Sequence, residues 1–149
     1  MVVISVASFE RFFREAADLD VDKTDLKRFQ AFVREKIADL LTIAQARAKA
    51  DDRDVIESRD LPITKGLQES IHRFRRLDLG AEVRPMLEEI ATRPQLDLAV
   101  ALDVDELLPE VAGGLSLALG QTFRLIDPDV RSPATAHWER AFRIFDLLL

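Results

Sequence analysis

Apolar residues in the first fifty positions fall three and four apart, the spacing of one helical face. Phe9, Phe12, Phe13, Ala16 and Ala17 form one such stripe, and Ser8 just ahead of it predicts an N-cap. The stripe stops at Asp18-Leu19-Asp20-Val21-Asp22. Leu26, Phe29, Val33, Ile37, Leu40, Leu41, Ala44 and Ala48 then hold the same period, which predicts a helix capped by Asp22 and running to Ala50. At about 1.5 Å per residue that helix is roughly 40 Å long. No glycine or proline occurs before Pro62 to interrupt it. After "DDRDVIESR", Asp60 and Pro62 predict the cap and first turn of a third helix, with Ile63, Leu67, Ile71 and Phe74 as its apolar stripe.

The short-long-short order then recurs. Gly80 and Pro85 open a segment with Val83, Met86, Leu87 and Ile90 on one face, ending near "TRPQ". The following loop, "LDLAVALDVD", repeats at residues 102–105 the Leu-Asp-Val-Asp of residues 19–22, in the same place in the order of elements. Leu108, Val111, Ala112, Leu115, Leu119, Phe123 and Ile126 predict a second long helix, ended by the turn cluster "DPDVRSP". Ser132 and Pro133 open a last helix with Trp138, Ala141, Phe142, Phe145 and Leu149 on its stripe. The expected fold is all-α: two three-helix halves, residues 1–76 and 77–149, forming one compact domain.

A seven-turn apolar stripe cannot be covered by two short helices, so the two long helices are expected to cross. Gly113 and Gly114 sit near the middle of the second one, where each glycine costs about 1 kcal/mol relative to alanine. Close approach of the first long helix around Ile37 to Leu41 would offset that cost. A kink near Pro109 is the competing explanation.

Composition narrows the function classes. Across 149 residues 48% are hydrophobic and 32% charged, which fits a soluble globular chain. The longest uncharged run, Val111 to Phe123, is too short to span a bilayer, and "MVVISVASF" has no basic region of a signal peptide. The absence of cysteine removes disulfides and thiolate sites, so a cytoplasmic location is expected. The net charge of −6 is uneven. Residues 1–76 carry 15 Lys/Arg against 14 Asp/Glu, and residues 77–149 carry 6 against 13. Any contact with nucleic acid must therefore come from a local patch.

Short helix, long helix and short helix joined by loops is the order of the histone fold, and the second loop adds detail. Arg53, the pair Val55–Ile56 and Asp60 stand where archaeal histones carry an arginine, a Thr-Ile pair and an aspartate that pairs with that arginine. With "DLDVDKTDLKRF", "RDLPITKGLQE" and the "LLL" ending, the chain resembles the bacterial tandem histone-fold (pseudo-doublet histone) family. That resemblance implies two histone-fold halves clasped as an intramolecular handshake, with a structural Arg53–Asp60 pair. It also implies a non-enzymatic, nucleoid-associated protein that binds double-stranded DNA weakly, with strong salt sensitivity and little sequence preference. Its DNA-binding candidates are Arg11, Lys23, Lys27 and Arg53 from the first half and Arg84 and Arg131 from the second. Asp54 and Val55 depart from the archaeal pattern, and "DLDVD" would repel phosphate. The alternative is a protein-interaction or self-association module that keeps the fold without DNA affinity.

Enzyme chemistry has few candidates. Glu69 and His72 form one Glu-x-x-His pair, half of a di-iron motif, with no second copy. "AGGL" lacks the Lys-Ser/Thr of a phosphate loop, and the chain has two histidines, no cysteine and no tyrosine. No metal and no cofactor is expected.

Overall fold

A computed structural model describes residues 5–79 and 82–149. It contains six helices: α1 (Val6–Ala17), α2 (Lys23–Ala50), α3 (Lys65–Arg76), α4 (Val83–Ile90), α5 (Leu102–Ile126) and α6 (Thr135–Leu148). Two short strands, β1 (Val55–Ile56) and β2 (Ala99–Val100), lie in the loops after α2 and before α5. The all-α expectation holds. Gly80, read as a helix opener, lies outside the described residues. No helix among the described residues is long and apolar enough to cross a membrane.

Local chemistry explains most boundaries. Asp22 caps α2 as expected: its Oδ1 accepts from the Thr24 and Asp25 amides at 2.9 and 3.2 Å, while Asp25 Oδ2 accepts from the Asp22 amide at 3.1 Å. Four expectations need correction. Ser132 and Pro133 do not open the last helix: α6 begins at Thr135, with Ala134 at its N-cap. Ser5, not Ser8, caps α1, with its Oγ accepting from the Ser8 amide at 3.3 Å. Asp60 closes a 3-10 turn over Ser58–Asp60, and α3 begins only at Lys65, capped by Thr64. The Asp60 carboxylate turns back to the Glu57 amide and to Arg53, which leaves nothing to cap a forward helix. Finally, Leu102–Asp105 is the first turn of α5, whereas Leu19–Asp22 precedes α2, so the tetrapeptide echo does not mark equivalent places.

One core fills the space between the helices. Phe9 and Phe13 of α1 meet Phe29 of α2 with ring centroids 5.1 and 5.3 Å apart. Fully burying each such ring stabilises by about 1.5–3 kcal/mol. The two long helices touch, but the glycines do not face Ile37 or Leu41. A Cβ on Gly114 would lie 2.6 Å from Ile71 Cγ1 and 2.9 Å from the Ile71 backbone nitrogen, and one on Gly113 would lie 2.6 Å from the Phe74 ring. The small residues of α5 therefore seat α3, the last helix of the first half. Ile37 and Leu41 are themselves fully buried. α5 runs unbroken through Pro109, which is buried.

The reciprocal contact uses large side chains. α6 lies on α2 through Phe32, which stacks on Phe142 at 5.2 Å and meets Phe145 edge-on at 4.9 Å. Lys36, only 3% exposed, reaches Asp146 at 2.5 Å beside them. α3 thus lies on α5, and α6 on α2. Glycine makes room at one crossing and phenylalanine fills the other.

Loops complete the exchange. β1 pairs with β2 in parallel, with Val55 opposite Ala99 and Ile56 opposite Val100. At the other end the Asp20 amide donates to the Arg131 carbonyl at 2.7 Å. The loop before each long helix is therefore joined to the loop after the other.

Candidate nucleic-acid interface

The six basic candidates project from α1, α4, the start of α2 and the paired loops. Arg11 on α1 is ion-paired with Glu82, just before α4. Arg84 of α4 is paired with Glu88 at 3.4 Å. Arg131 lies 3.7 Å from Asp18, across the second loop pair. Lys23 and Lys27 are exposed on the first two turns of α2, with no acidic partner among the described residues.

Arg53 is the most constrained. Its Nη1 and Nη2 donate to Asp60 Oδ2 and Oδ1 at 2.8 and 2.6 Å, a bidentate fork. The same two nitrogens reach Glu57 at 3.1 Å and Asp51 at 3.0 Å. The Arg53 side chain is 19% exposed and that of Asp60 only 4%. Hydrogen bonds from Arg53 hold the Asp60 carboxyl down at about 2, with the Glu57 amide helping against the cost of burial. Hydrogen bonds to Asp60, then Asp51, push the Arg53 guanidinium above its ordinary value. All of its nearest partners are carboxylates, so no fork remains for a phosphate. Its Nε is buried without a partner among the described residues.

Carboxylates dominate this edge. Asp51, Asp52, Asp54 and Glu57 surround Arg53, and Asp18, Asp20, Asp22, Asp127 and Asp129 lie along the other loop pair with Arg131 and Lys23. Arg124, which the sequence did not single out, serves the same structural end. It donates to the Asp18 and Ala17 carbonyls at 2.5 and 3.2 Å and so satisfies the C-terminus of α1. Lys49, near the end of α2, pairs with Asp97 at 2.6 Å and holds down its carboxyl, chiefly by hydrogen bonding.

Other candidate chemistry is scattered. Glu69 faces Lys65 at 3.5 Å, and His72 sits 3.1 Å from Arg76, so the Glu-x-x-His pair is engaged with cations along α3. No group of three or more His, Asp or Glu side chains is arranged to hold a metal among the described residues.

A family model described as a domain of unknown function, DUF1931, matches residues 9–146. The chain belongs to the DUF1931 family. A crystal structure of a Thermus thermophilus protein superposes with a TM-score of 0.87 at 51% identity, covering 99% of this chain and all of that one. The crystal structure of protein AQ328 from Aquifex aeolicus gives 0.84 at 26% identity, over 96% of this chain and 94% of the other. An uncharacterized protein from Aquifex aeolicus (strain VF5) is 31% identical over 108 residues, which span 72% of this chain and 63% of that relative. Those likenesses extend the helical architecture of this DUF1931 chain to solved relatives. Two further surface features flank α3. One is a basic groove along α3, announced by "RFRR" at residues 73–76. The other is an apolar groove at the ends of α5 and α6, announced by Leu125 and Leu148, which fall off the buried stripes.

Proposed function

We propose that this protein is a single-chain, histone-type clasp that serves as a non-enzymatic self-association module, with Arg53 of its loop edge devoted to holding the fold. Support for the clasp comes from the crossed seating of α3 on α5 and α6 on α2, together with the reciprocal loop pairs. In this reading residues 1–76 and 77–149 are two histone-fold halves, the second divergent and acidic.

The observation that carries the association is an exposed apolar groove of about 510 Å³ between α3, α5 and α6, with Leu67, Ala118 and Phe145 in its lining. Leu125 and Leu148 rise from its walls, 84% and 73% exposed. A patch that is both grooved and ridged can complement itself about a twofold axis, with the leucines of one copy entering the groove of the other. Glu69 and Arg73 at its rim are four residues apart on α3, so an antiparallel copy brings each against the opposite charge.

Sedimentation of the wild type and of a Leu125→Glu/Leu148→Glu variant, over roughly 1 to 200 µM, tests it. The wild type is expected to form a dimer and the variant to stay monomeric with the same helical signal. A wild type that stays monomeric throughout, or a variant that dimerises equally well, defeats the proposal. Weak DNA binding is the second reading, favoured by the free Lys23 and Lys27 on α2.

A further inference from the structure

We infer that the basic groove along the outer face of α3 is a binding site for a small phosphate-bearing molecule. The groove is open to solvent, has a volume of about 770 Å³ and is lined by residues of the 3-10 turn, of α3 and by Leu107 of α5. That volume lies in the range of small-molecule sites, about 300–1,000 Å³. Its cations are Arg59, Lys65, Arg73, Arg75 and Arg76, and Glu69 is the one carboxylate in the lining. In a chain of net charge −6 this is a local reversal of sign.

Helix electrostatics accounts for only half of it. Arg73, Arg75 and Arg76 lie in the last turn of α3, where cations complement the helix dipole. Lys65 is the first residue of α3, where the dipole disfavours a cation, and the first turn holds no acidic residue. Arg59 adds a further positive charge at that same end. Cations gathered at both ends are what an anion in the groove would require.

Arg75 and Arg59 pair through a single nitrogen each, with Glu110 of α5 at 2.8 Å and Glu57 at 2.6 Å, and both side chains are exposed, so unlike Arg53 they keep N–H donors free. Arg76 Nη2 is 3.1 Å from His72 Nε2. No carboxylate pairs with Arg73 or Arg76 among the described residues. Four of the five cations are arginines, whose planar forks match phosphate oxygens two at a time. Leu61, Ile63 and Leu107 supply an apolar wall for the rest of the ligand. Leu107 comes from the second half, so an occupant would bridge the two halves and raise the melting temperature.

Inorganic pyrophosphate and ADP are the probes, in calorimetric titration and thermal melts of the full chain, with sulfate at matched ionic strength as the control. One-to-one binding of either probe and a raised melting temperature are expected. Arg59→Gln/Arg76→Gln should weaken binding about tenfold or more, the loss expected when charge-assisted hydrogen bonds are removed. Arg140→Gln/Arg143→Gln makes the same charge change on α6 and should leave binding intact. The inference fails if neither probe binds at millimolar concentration or if sulfate reproduces the effect. It also fails if the two double variants behave alike, or if duplex DNA binds in the groove and the small probes do not. Glu69 and Arg73 line both grooves, but Arg59 and Arg76 line only this one and Leu125 and Leu148 only the other, so the two sets of variants test the two proposals separately.

Discussion

Replacing Arg53 with alanine isolates the pair that joins the second loop to the turn before α3. The Asp60 carboxyl sits at about 2 in the folded chain against an ordinary 3.8, and Arg53 is the leading cause. At about 1.36 kcal/mol per unit, that difference corresponds to about 2 kcal/mol for Asp60, whose side chain is nearly fully buried. The variant leaves that carboxylate with the Glu57 amide at 2.8 Å and no cation. A destabilisation of about 2 kcal/mol near pH 7 is expected, because an uncompensated buried charge costs more than the pair contributes. A carboxylate with a depressed folded value stabilises fully above its unfolded value, and that contribution is lost as pH falls through the folded one. The gap between wild type and variant should therefore hold above about pH 4 and close toward pH 2. Urea unfolding followed by circular dichroism across this range measures it, with Arg53→Met as a control for the packing of the side-chain stem. A cost below about 0.5 kcal/mol, typical of exposed pairs, would refute the reasoning. So would a gap that does not change with pH.

Glycine replacements along α5 and α3 should separate by what the new methyl group meets. Gly114→Ala forces the Ile71 backbone away and should destabilise by about 1–2 kcal/mol in spite of better helix propensity. Gly113→Ala meets only the ring of Phe74, which is half-buried and can shift, so it should cost distinctly less. Gly66→Ala meets nothing within 4 Å on an exposed turn of α3 and should stabilise by about 0.5–1 kcal/mol. Thermal melts of the three variants check the order, and equal effects at Gly114 and Gly66 would contradict the α3–α5 seating.

Much of the fold was legible because helical signals are local. Asp22, the unbroken period of α2 and the turn cluster after α5 fix three boundaries without reference to the rest of the chain. Asp60 misled because its role is set by Arg53 rather than by the residues that follow it. The start of α5 was placed too late because Ala101 offers no side-chain cap, although Asp103 and Asp105 mark an acidic first turn. Gly113 and Gly114 announced a close neighbour but not which helix it was. The candidate site was less legible for the same reason. Sequence shows Arg11 and Arg131 as free cations, yet Glu82 and Asp18, brought in from other segments, hold them.

Duplex DNA binding measured against salt tests most directly the central claim, that the loop edge around Arg53 serves the fold and not DNA. With Arg53 saturated by carboxylates and acidic residues beside Arg11, Arg84 and Arg131, no retardation of duplex DNA is expected at micromolar protein even in low salt. Retardation that disappears with salt along a log–log slope of about −3 to −4, the mark of three or four neutralised phosphates, would contradict the account. Its loss on changing Arg11 and Lys23 to glutamate would assign the loop edge to DNA.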